Sequence, residues 1–450
     1  MRHRYGYLGF LALLAGVIPL PSSAIDLGEA IALAEKNDPG LASAQANRDA
    51  AFENIAIAKS KLLPQVSFQG MFEKMQYGLS QQQPIAGGGT SSAYYMMNAY
   101  NNQFTVHQAL YHPRDQIGLD LGKQQAVYGE AKLAAARIDL WLRTTNAWLD
   151  VLVAVENRRL YVDTVKTTEI AADQAEKRFK AGDGTREIVI EAQAQHELAK
   201  SELTEATITL HAKEQAFQLL VGQLPEDLSN GHLPNYEQIR MGISSKEDLQ
   251  QLVRDVNPDI LAAEAAKVVN QKRAEQAHAD RLPQVDLIAS KTWAQNDTIF
   301  TINQTYNMLA AGVQMTVPLY AGGGLVATQR QSEYSARASE EDLRAEQLKH
   351  TSQVEMDWAS AEASIERAHS AKVLWEAARE QKKAAEMGVP SGVRTWADVA
   401  QADTLMARRG ADFISYAAGV LRSQAHLLSS LPVTENIWEP WVAQLSLLSK

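Results

Sequence analysis

Residues 308–320 read MLAAGVQMTVPLY, and the prediction of the fold starts from the alternation in this stretch. One set of alternate positions is apolar throughout, whereas the other set mixes small and polar side chains. The apolar set is Leu309, Ala311, Val313, Met315, Val317 and Leu319. Because a β-strand turns successive side chains to opposite faces, this period of two predicts a strand at about 305–320. About ten residues of such alternation is the length of a tilted strand that crosses a bilayer.

Three further stretches alternate in the same way and predict strands at about 65–77, 99–111 and 284–295. Their apolar positions include Val66, Phe68, Phe72, Phe104, Val106, Leu110, Val285 and Leu287. The polar segments 78–98 and 296–304 predict exposed loops. The aromatic residues near the predicted strand ends fit an interfacial girdle; they are Tyr94, Tyr95, Tyr100, Trp293 and Tyr306. A soluble β-sandwich with scattered aromatic residues is the alternative.

The chain contains two copies of one pattern. Four landmarks recur in the same order, at separations of 209 to 219 residues. The pairs are Pro39 with Pro258, Pro64 with Pro283, Tyr111 with Tyr320, and Thr185 with Thr395. The separation changes only in predicted loops, which indicates an internal duplication rather than a short-period solenoid. We expect a first repeat at 25–235 and a second at 236–450 that ends in a C-terminal tail.

A long helical segment follows each predicted strand pair. These segments are rich in Ala, Glu, Gln, Lys, Arg and Leu, which favour helix, and each turns at glycine. We predict two helical hairpins, at about 114–222 and 323–431. At about 1.5 Å per residue, some 65 residues make a helix of about 100 Å. Shorter helices precede the strands, one capped by Asp26 and another begun by Asp38-Pro39.

Residues 1–24 have the layout of a cleavable signal peptide. Arg2 and Arg4 precede an apolar run, which ends in Pro21-Ser22-Ser23-Ala24. A run of about 15 apolar residues is short for a membrane anchor, which needs about 20. The segment predicts export of a mature chain that begins near Ile25. Export favours membrane strands over a soluble sandwich.

The composition excludes several classes of protein. The 450 residues include no Cys, which excludes disulfides, thiolate metal sites, Cys nucleophiles and an acylated-Cys anchor. A net charge of −10 argues against a nucleic-acid partner, because nucleic-acid affinity comes largely from clustered Lys and Arg. A mean hydropathy of −0.26 argues against a bundle of transmembrane helices.

The sequence patterns for catalysis are weak. Gly322-Gly323-Gly324 joins a predicted strand to a helix, but no Gly-Lys-Ser/Thr follows, so we interpret it as a backbone bend rather than a phosphate loop. The ten His include no HExxH motif, and we interpret them as surface residues. We interpret four methionines as lipid-facing or loop residues rather than copper ligands. They are Met71, Met75, Met96 and Met97. We expect no enzyme, no cofactor and no metal site.

Four membrane strands cannot close a barrel by themselves. The smallest closed barrels have about eight strands, and an open sheet edge is not tolerated in lipid. Copies of the chain must therefore share one barrel, with the helical hairpins arrayed in parallel beneath it. That geometry predicts a conduit from the cell surface into the periplasm. The alternative is a periplasmic coiled-coil adaptor, or a structural protein without a pore, although neither needs these strands.

In order and in duplicate, the motifs resemble the TolC family of outer-membrane efflux and secretion channels, over essentially the whole mature sequence. They are Asn37-Asp38-Pro39, Leu63-Pro64-Gln65-Val66, Leu282-Pro283-Gln284-Val285, and the segments 317–323 and 392–399. The resemblance implies an α+β membrane protein. It would be a homotrimer whose outer-membrane β-barrel takes four strands from each chain and is continuous with a long α-helical barrel. The C-terminal tail would lie in an equatorial region.

The resemblance also implies a function and partners. The function is the exit channel of a tripartite export system, for either type I protein secretion or small-molecule efflux. The partners are a periplasmic membrane-fusion adaptor, an inner-membrane ABC or proton-driven pump, and outer-membrane lipid, with no nucleic acid. The cargo stays open, because similar channels serve drugs, metals and proteins.

Finally, the resemblance assigns candidate gate residues at the hairpin tips. In the second tip, Arg394 matches a constraining arginine and Asp398 an acidic position. Gln401 stands where a further Asp often lines the pore, and Asp403 lies two residues beyond it.

The first tip departs further from the family pattern, because Ile188 stands at a usual Asp. Asp183 and Glu187 are therefore candidates to accept a bond from Arg394. The tip motif shared by both copies is Gly182, Thr185, Gly392 and Thr395.

Overall fold

The computed structural model describes residues 26–82, 90–223, 231–243, 245–296, 304–433 and 437–449. The expected signal peptide at 1–24 lies outside these residues. Two successive sets of six elements make up most of the chain. The first set is α1 (Leu27–Asn37), α2 (Pro39–Ser60), β1 (Gln65–Gln82), β2 (Thr90–Tyr111), α3 (Pro113–Lys180) and α4 (Arg186–Val221). The second is α5 (Lys246–Val256), α6 (Pro258–Ala279), β3 (Gln284–Asn296), β4 (Gln304–Thr316), α7 (Gly324–Gly388) and α8 (Trp396–Leu428).

The two sets match in element order, and their helices nearly match in length. Both first helices have 11 residues and both second helices have 22. The long helices α3 and α7 have 68 and 65 residues, which corresponds to about 100 Å each. In each set the long helix packs against the helix that follows it, α3 against α4 and α7 against α8. A 3₁₀ turn at Tyr236–Gln238 separates the sets, and α9 (Trp438–Leu448) follows the second.

The repeated proline motif is a helix cap. Oδ1 of Asp38 accepts hydrogen bonds from the backbone N–H groups of Gly40 at 2.6 Å and Leu41 at 3.1 Å. At the equivalent place Oδ1 of Asn257 accepts from Asp259 at 3.0 Å and Ile260 at 3.2 Å. The proline that follows each cap fits the first helical turn, where its missing N–H leaves no bond unmade. The predicted start of α2 is confirmed, and α6 begins in the same way.

The strands form one antiparallel sheet in the order β1-β2-β3-β4. In the register, Phe68 lies opposite Phe104, and Leu287 lies opposite Val313. Within the described residues β1 pairs only with β2, and β4 pairs only with β3. The sheet therefore has two open edges.

Three strands have bounds that differ from the prediction. β1 continues to Gln82 instead of ending near 77, and β2 begins at Thr90 instead of near 99. Most of the segment 78–98 is therefore strand rather than loop, because cross-strand pairing continues after the apolar alternation has stopped. β4 ends at Thr316 rather than near 320, where Pro318 would lack a ladder N–H. The segments 83–89 and 297–303 lie outside the described residues.

The helical part is organised around α3, which contacts α2, α4, α6 and α8, while α7 contacts α6 and α8. The main hydrophobic core of the protein includes Trp148, Leu149, Leu152 and Val155 of α3. The C-terminal helix α9 closes this core with Trp438 and Trp441, both fully buried. Their indole N–H groups donate to the carbonyl of Leu428 at 2.9 Å and to Oε1 of Gln424 at 3.0 Å. Among the helices that the structure describes, none is both long enough and apolar enough to cross a membrane.

Candidate functional site

The sheet separates its side chains into a polar face and an apolar face. The strand register assigns the following residues to the polar face: Gln65, Ser67, Gln69, Gln103, Thr105, His107, Ser290, Thr292, Gln314 and Thr316. The opposite face carries Val66, Phe68, Phe72, Phe104, Val106, Leu287, Leu309, Val313 and Met315. The larger members of the apolar face are exposed, with Leu309 at 75%. Such a surface belongs in lipid rather than in water.

The expected aromatic girdle is only partly on the apolar face. Tyr94, Tyr100 and Trp293 share that face and are exposed, whereas Tyr306 lies opposite Ala294 on the polar face. Because side chains alternate, one residue of register is enough to turn Tyr306 to the other side. The side chain of Tyr95 lies outside the described part of the chain.

The methionines also divide between the faces. Met75 and Met97 are a cross-strand pair, and Met71 shares their face, while Met96 lies opposite Gln76 on the other side. Of the four, only Met96 lies on the apolar face, so the expectation that they face lipid is wrong for Met71, Met75 and Met97.

The second hairpin tip is held by a reciprocal helix cap. The backbone N–H of Asp398 donates to Oγ1 of Thr395 at 3.2 Å, and the N–H of Thr395 donates to Oδ2 of Asp398 at 2.7 Å. The backbone N–H of Thr395, together with the Thr395 hydroxyl, holds the pKa of the Asp398 carboxyl below its ordinary value. Partial burial has the opposite, smaller effect on this pKa. Gly392, at φ 73°, supplies the left-handed backbone that the turn into α8 requires. Asp398 is therefore a capping residue as well as a gate candidate.

Arg394 lies beside this cap. Its guanidinium is 3.9 Å from Oδ1 of Asp398, and the arginine side chain is 58% exposed. Its aliphatic stem packs over Gly388, where an added Cβ would approach Cγ of Arg394 to 2.6 Å. The absence of a side chain at Gly388 therefore helps to set the direction of Arg394.

Gln401 and Asp403 point in different directions from α8. Gln401 is exposed and lines an open groove of about 510 Å³, together with Arg394 and Asp398. Asp403 is fully buried, and Nζ of Lys382 on α7 lies 2.5 Å from its Oδ1. At about 100° per residue, positions 401 and 403 are separated by about 160° around the helix, which explains the difference. In this structure Asp403 pairs inside the hairpin and does not line an open surface.

The first tip turns through Gly182, at φ 81°, but is capped differently. Thr185 is the N-cap of α4, yet its side chain makes no capping hydrogen bond. Asp183 and Glu187 are exposed, and no ion pair among the described residues joins either of them to Arg394. The bond proposed between the tips is therefore not formed within one chain.

The two tips meet through other residues. Trp396 and Ala397 face Thr185 and Ile188 around a small pocket of about 60 Å³. The sequence patterns did not single out Trp396 or Lys382 as functional. A partner for Asp403 could have been sought on α7, because an Asp in an alanine-rich helix face needs a buried cation.

The fold, the two faces of the sheet and the hairpin tips together define a class of protein. A membrane-type sheet with two open edges stands on helical hairpins about 100 Å long, which is the architecture of a channel through the outer membrane that reaches into the periplasm.

Comparison with known proteins gives the family. A profile of the outer membrane efflux protein family matches residues 30–223 and 249–431. These two segments begin 219 residues apart, as the duplicated motifs do. The chain belongs to the outer membrane efflux protein family.

Individual relatives agree with this assignment. The outer membrane protein TolC of Vibrio cholerae is 28% identical over 400 residues, which covers 87% of each chain. The alkaline protease secretion protein AprF of Pseudomonas aeruginosa is 24% identical and covers 84% of this chain and 79% of its own. The CmeC outer membrane channel of Campylobacter jejuni has the same fold, with a TM-score of 0.74 at 14% identity over 100% of this chain and 98% of that one.

The expected fold class and TolC-family membership are confirmed. The protein is a TolC-like exit channel of the bacterial outer membrane, for efflux or type I secretion, and it extends into the periplasm. It is a transport protein and not an enzyme.

Proposed function

We propose that three copies of this chain close one twelve-strand barrel, which serves as the exit of a tripartite export system. The observation that carries the proposal is the sheet itself, which has one exposed apolar face and unpaired edges at β1 and β4. In lipid the unpaired backbone groups of an edge cost several kcal/mol each, so β1 of one chain must pair with β4 of the next. A periplasmic adaptor or structural protein without a pore would have no use for such a sheet.

The helical hairpins supply the periplasmic half of the path. In the trimer the six hairpins would stand side by side beneath the barrel and enclose a water-filled tunnel. Their tips would meet a periplasmic membrane-fusion adaptor. An inner-membrane ABC or proton-driven pump would supply the energy, and outer-membrane lipid would surround the apolar face. The family profile is that of outer membrane efflux proteins and AprF is a protease secretion protein, so both efflux and secretion fit this chain.

The second hairpin tip would form the periplasmic gate. Arg394 and Asp398 lie at the open groove beside the tip, and Gln401 lines the same groove. Asp183 and Glu187 are unpaired with Arg394 within one chain, so in the trimer they are free to face the arginine of a neighbouring chain. Each exposed pair of this kind contributes about 0.2 to 1 kcal/mol, so contact with an adaptor would be enough to open the gate.

Cysteine cross-linking tests the trimer directly, because the chain has no native Cys. A double variant would carry Ser67→Cys on β1 and Gln314→Cys on β4, with neighbouring positions tried to allow for the unknown register. After oxidation in outer membranes we expect cross-linked species up to three chains. Ser67→Cys alone is the matched control and should stay monomeric on a denaturing gel. Monomers from every pair across the two edges would refute the shared barrel.

A further inference from the structure

Four titratable side chains meet where β2 ends and α3 begins. Nε2 of His112 lies 2.8 Å from Oδ1 of Asp286, and its Nδ1 lies 3.0 Å from Oδ2 of Asp115. Nε2 of His107 lies 3.0 Å from the same oxygen of Asp286. The side chains of His112 and Asp286 are each only 12% exposed. The proposed gate uses none of these residues.

Local backbone geometry brings the four together. The β2–β3 register shifts between Ala109 and Tyr111, which places one extra residue, Leu110, on β2. Such a bulge bends the strand and redirects the residues that follow it. His112 then occupies the N-cap position of α3 without making a side-chain capping bond. Its imidazole is therefore free to turn towards Asp115 in the first helical turn and Asp286 on β3.

The arrangement selects the charged form of His112. A neutral imidazole has one N–H, so it can donate to only one of two carboxylates and must present a lone pair to the other. The imidazolium has two N–H groups and can donate to both. Because both ring nitrogens of His112 face carboxylate oxygens, the protonated ring is the form that fits this pocket.

The surrounding charges agree with this conclusion. Burial by itself lowers the pKa of His112, but the contacts with Asp115 and Asp286 outweigh it, and the pKa is raised above its ordinary value. The adjacent Arg114 is already paired with Asp280, at 2.5 Å. On β4 the uncharged Gln314 lies opposite Asp286. Among the described residues no group of three or more His, Asp or Glu is arranged to hold a metal ion, which leaves a proton as the bridging charge.

The duplicated architecture does not require this cluster. The repeated tyrosine landmarks, Tyr111 and Tyr320, are 209 residues apart. At that separation the second copy has Ala321 in place of His112 and Gly324 in place of Asp115. The cluster therefore occurs in one copy only, at the seam where a strand of the first repeat pairs with a strand of the second.

We propose that protonated His112 is a pH-dependent bridge. It links the end of β2 and the start of β3 to the start of α3. With the ring protonated, one side chain bridges the strand pair and the long helix. Loss of the proton removes the positive charge between Asp115 and Asp286 and leaves one of the two carboxylates facing a lone pair. The junction between barrel and tunnel then loosens.

The stabilisation contributed by the His112 bridge weakens as the pH rises. A group whose folded pKa lies above its unfolded value, about 6.5 for His, stabilises the fold fully below the unfolded value. That stabilisation disappears as the pH rises through the folded pKa. Within this window the unfolding equilibrium constant should rise by up to about tenfold per pH unit, which corresponds to one proton.

Guanidinium unfolding of the full-length protein in detergent, from pH 6 to pH 9, tests the proposal. We expect the wild-type midpoint to fall through this range and the fall to be largely absent in His112→Gln. The matched control is His211→Gln, because His211 on α4 is 72% exposed and its ion pair within the described residues is with Glu214 of the same helix. This control should keep the wild-type profile. A wild-type profile in His112→Gln would overturn the proposal.

A second variant covers the case in which His112→Gln does not fold. Asp115→Asn keeps the imidazole but replaces one of its two carboxylates, so the fall in midpoint should move to lower pH. An unmoved fall in Asp115→Asn would also overturn the proposal. His107→Gln, which keeps both carboxylates on His112, should leave most of the fall in place.

Discussion

Single residues at the second tip perform two tasks at once. Asp398 caps α8 through Thr395 and also lies within reach of Arg394. Arg394 in turn is positioned by the missing side chain at Gly388. A substitution here therefore changes both the helix start and the charge at the entrance. Separating the two effects requires one variant for each.

Arg394→Ser tests the charge. It removes the guanidinium that lies 3.9 Å from Asp398 and leaves the Thr395–Asp398 cap intact. If this arginine holds the entrance closed, single-channel conductance in planar bilayers should rise. Arg344→Ser is the matched control, because Arg344 on α7 also forms an exposed pair within its own helix, 3.8 Å from Glu341. Equal conductance in the two variants would remove Arg394 from the gate.

Thr395→Ala tests the cap. Loss of an N-cap side chain costs about 1 kcal/mol, which corresponds to roughly a fivefold faster amide exchange in the first turn of α8. Hydrogen exchange read by mass spectrometry on a peptide covering 389–405 would measure it. Thr185→Ala is the control, because Thr185 caps α4 without a side-chain bond and should change exchange little. Similar effects in both variants would contradict a special role for the Thr395 cap.

The same cap predicts a pH dependence of opposite sign to that of His112. The folded pKa of Asp398 is lowered, so its stabilisation is present above the unfolded value of about 3.9 and is lost as the pH falls through the folded value. After correction for intrinsic exchange rates, protection of the α8 first turn should decrease below about pH 4. Protection that is unchanged there would mean that the carboxylate form is not required.

At the scale of elements, α7 and α8 are joined by an alanine-rich contact with one buried ion pair. Ala361, Ala368, Ala371, Ala378 and Ala385 are buried along α7. Small side chains let the helices approach closely, and Lys382 with Asp403 is the charged exception. Apart from Nζ of Lys382, no polar group in the described part of the chain contacts the Asp403 carboxylate closely enough to satisfy it.

Lys382→Met should therefore destabilise this hairpin strongly. Removing one partner of a buried pair leaves an uncompensated charge and costs about 3 to 5 kcal/mol. Replacing both, in Lys382→Met with Asp403→Leu, should restore most of the stability, because an apolar pair of similar volume avoids the desolvation penalty. Guanidinium unfolding of the single and double variants measures the difference. A double variant as unstable as the single one would show that the pair is needed for more than charge balance.

The elements differ in how far the sequence predicts them, and the reason is the range of the forces involved. The starts of α2 and α6 follow from Asp38 and Asn257, whose caps reach only three residues, so local patterns were enough. The extension of β1 to Gln82 depends on pairing with a strand that follows it, which no local alternation records. The burial of Asp403 depends on Lys382, 21 positions earlier on a different helix, so its role could not be predicted from the tip motif.

At the scale of the whole molecule, a trimer would present each side chain at the tunnel entrance three times around the channel axis. The net charge of −10 for each chain already favours cations within a shared, water-filled tube. Gln401 is the position at which this chain lacks a carboxylate that the family pattern often has. One substitution there would add three charges around a single axis.

Gln401→Asp should therefore increase block of the channel by multivalent cations. Three carboxylates that each contribute about 0.5 kcal/mol sum to about 1.5 kcal/mol, which is roughly a tenfold gain in affinity. Block of single channels by a trivalent cation, added from the side of the hairpin tips, measures it, and the gain should shrink at high salt. Gln347→Asp, in the middle of α7, adds the same charge far from the tips and should leave the affinity nearly unchanged. If the two variants behave alike, position 401 does not face the pore, and the acidic entrance must be sought at Asp398 instead.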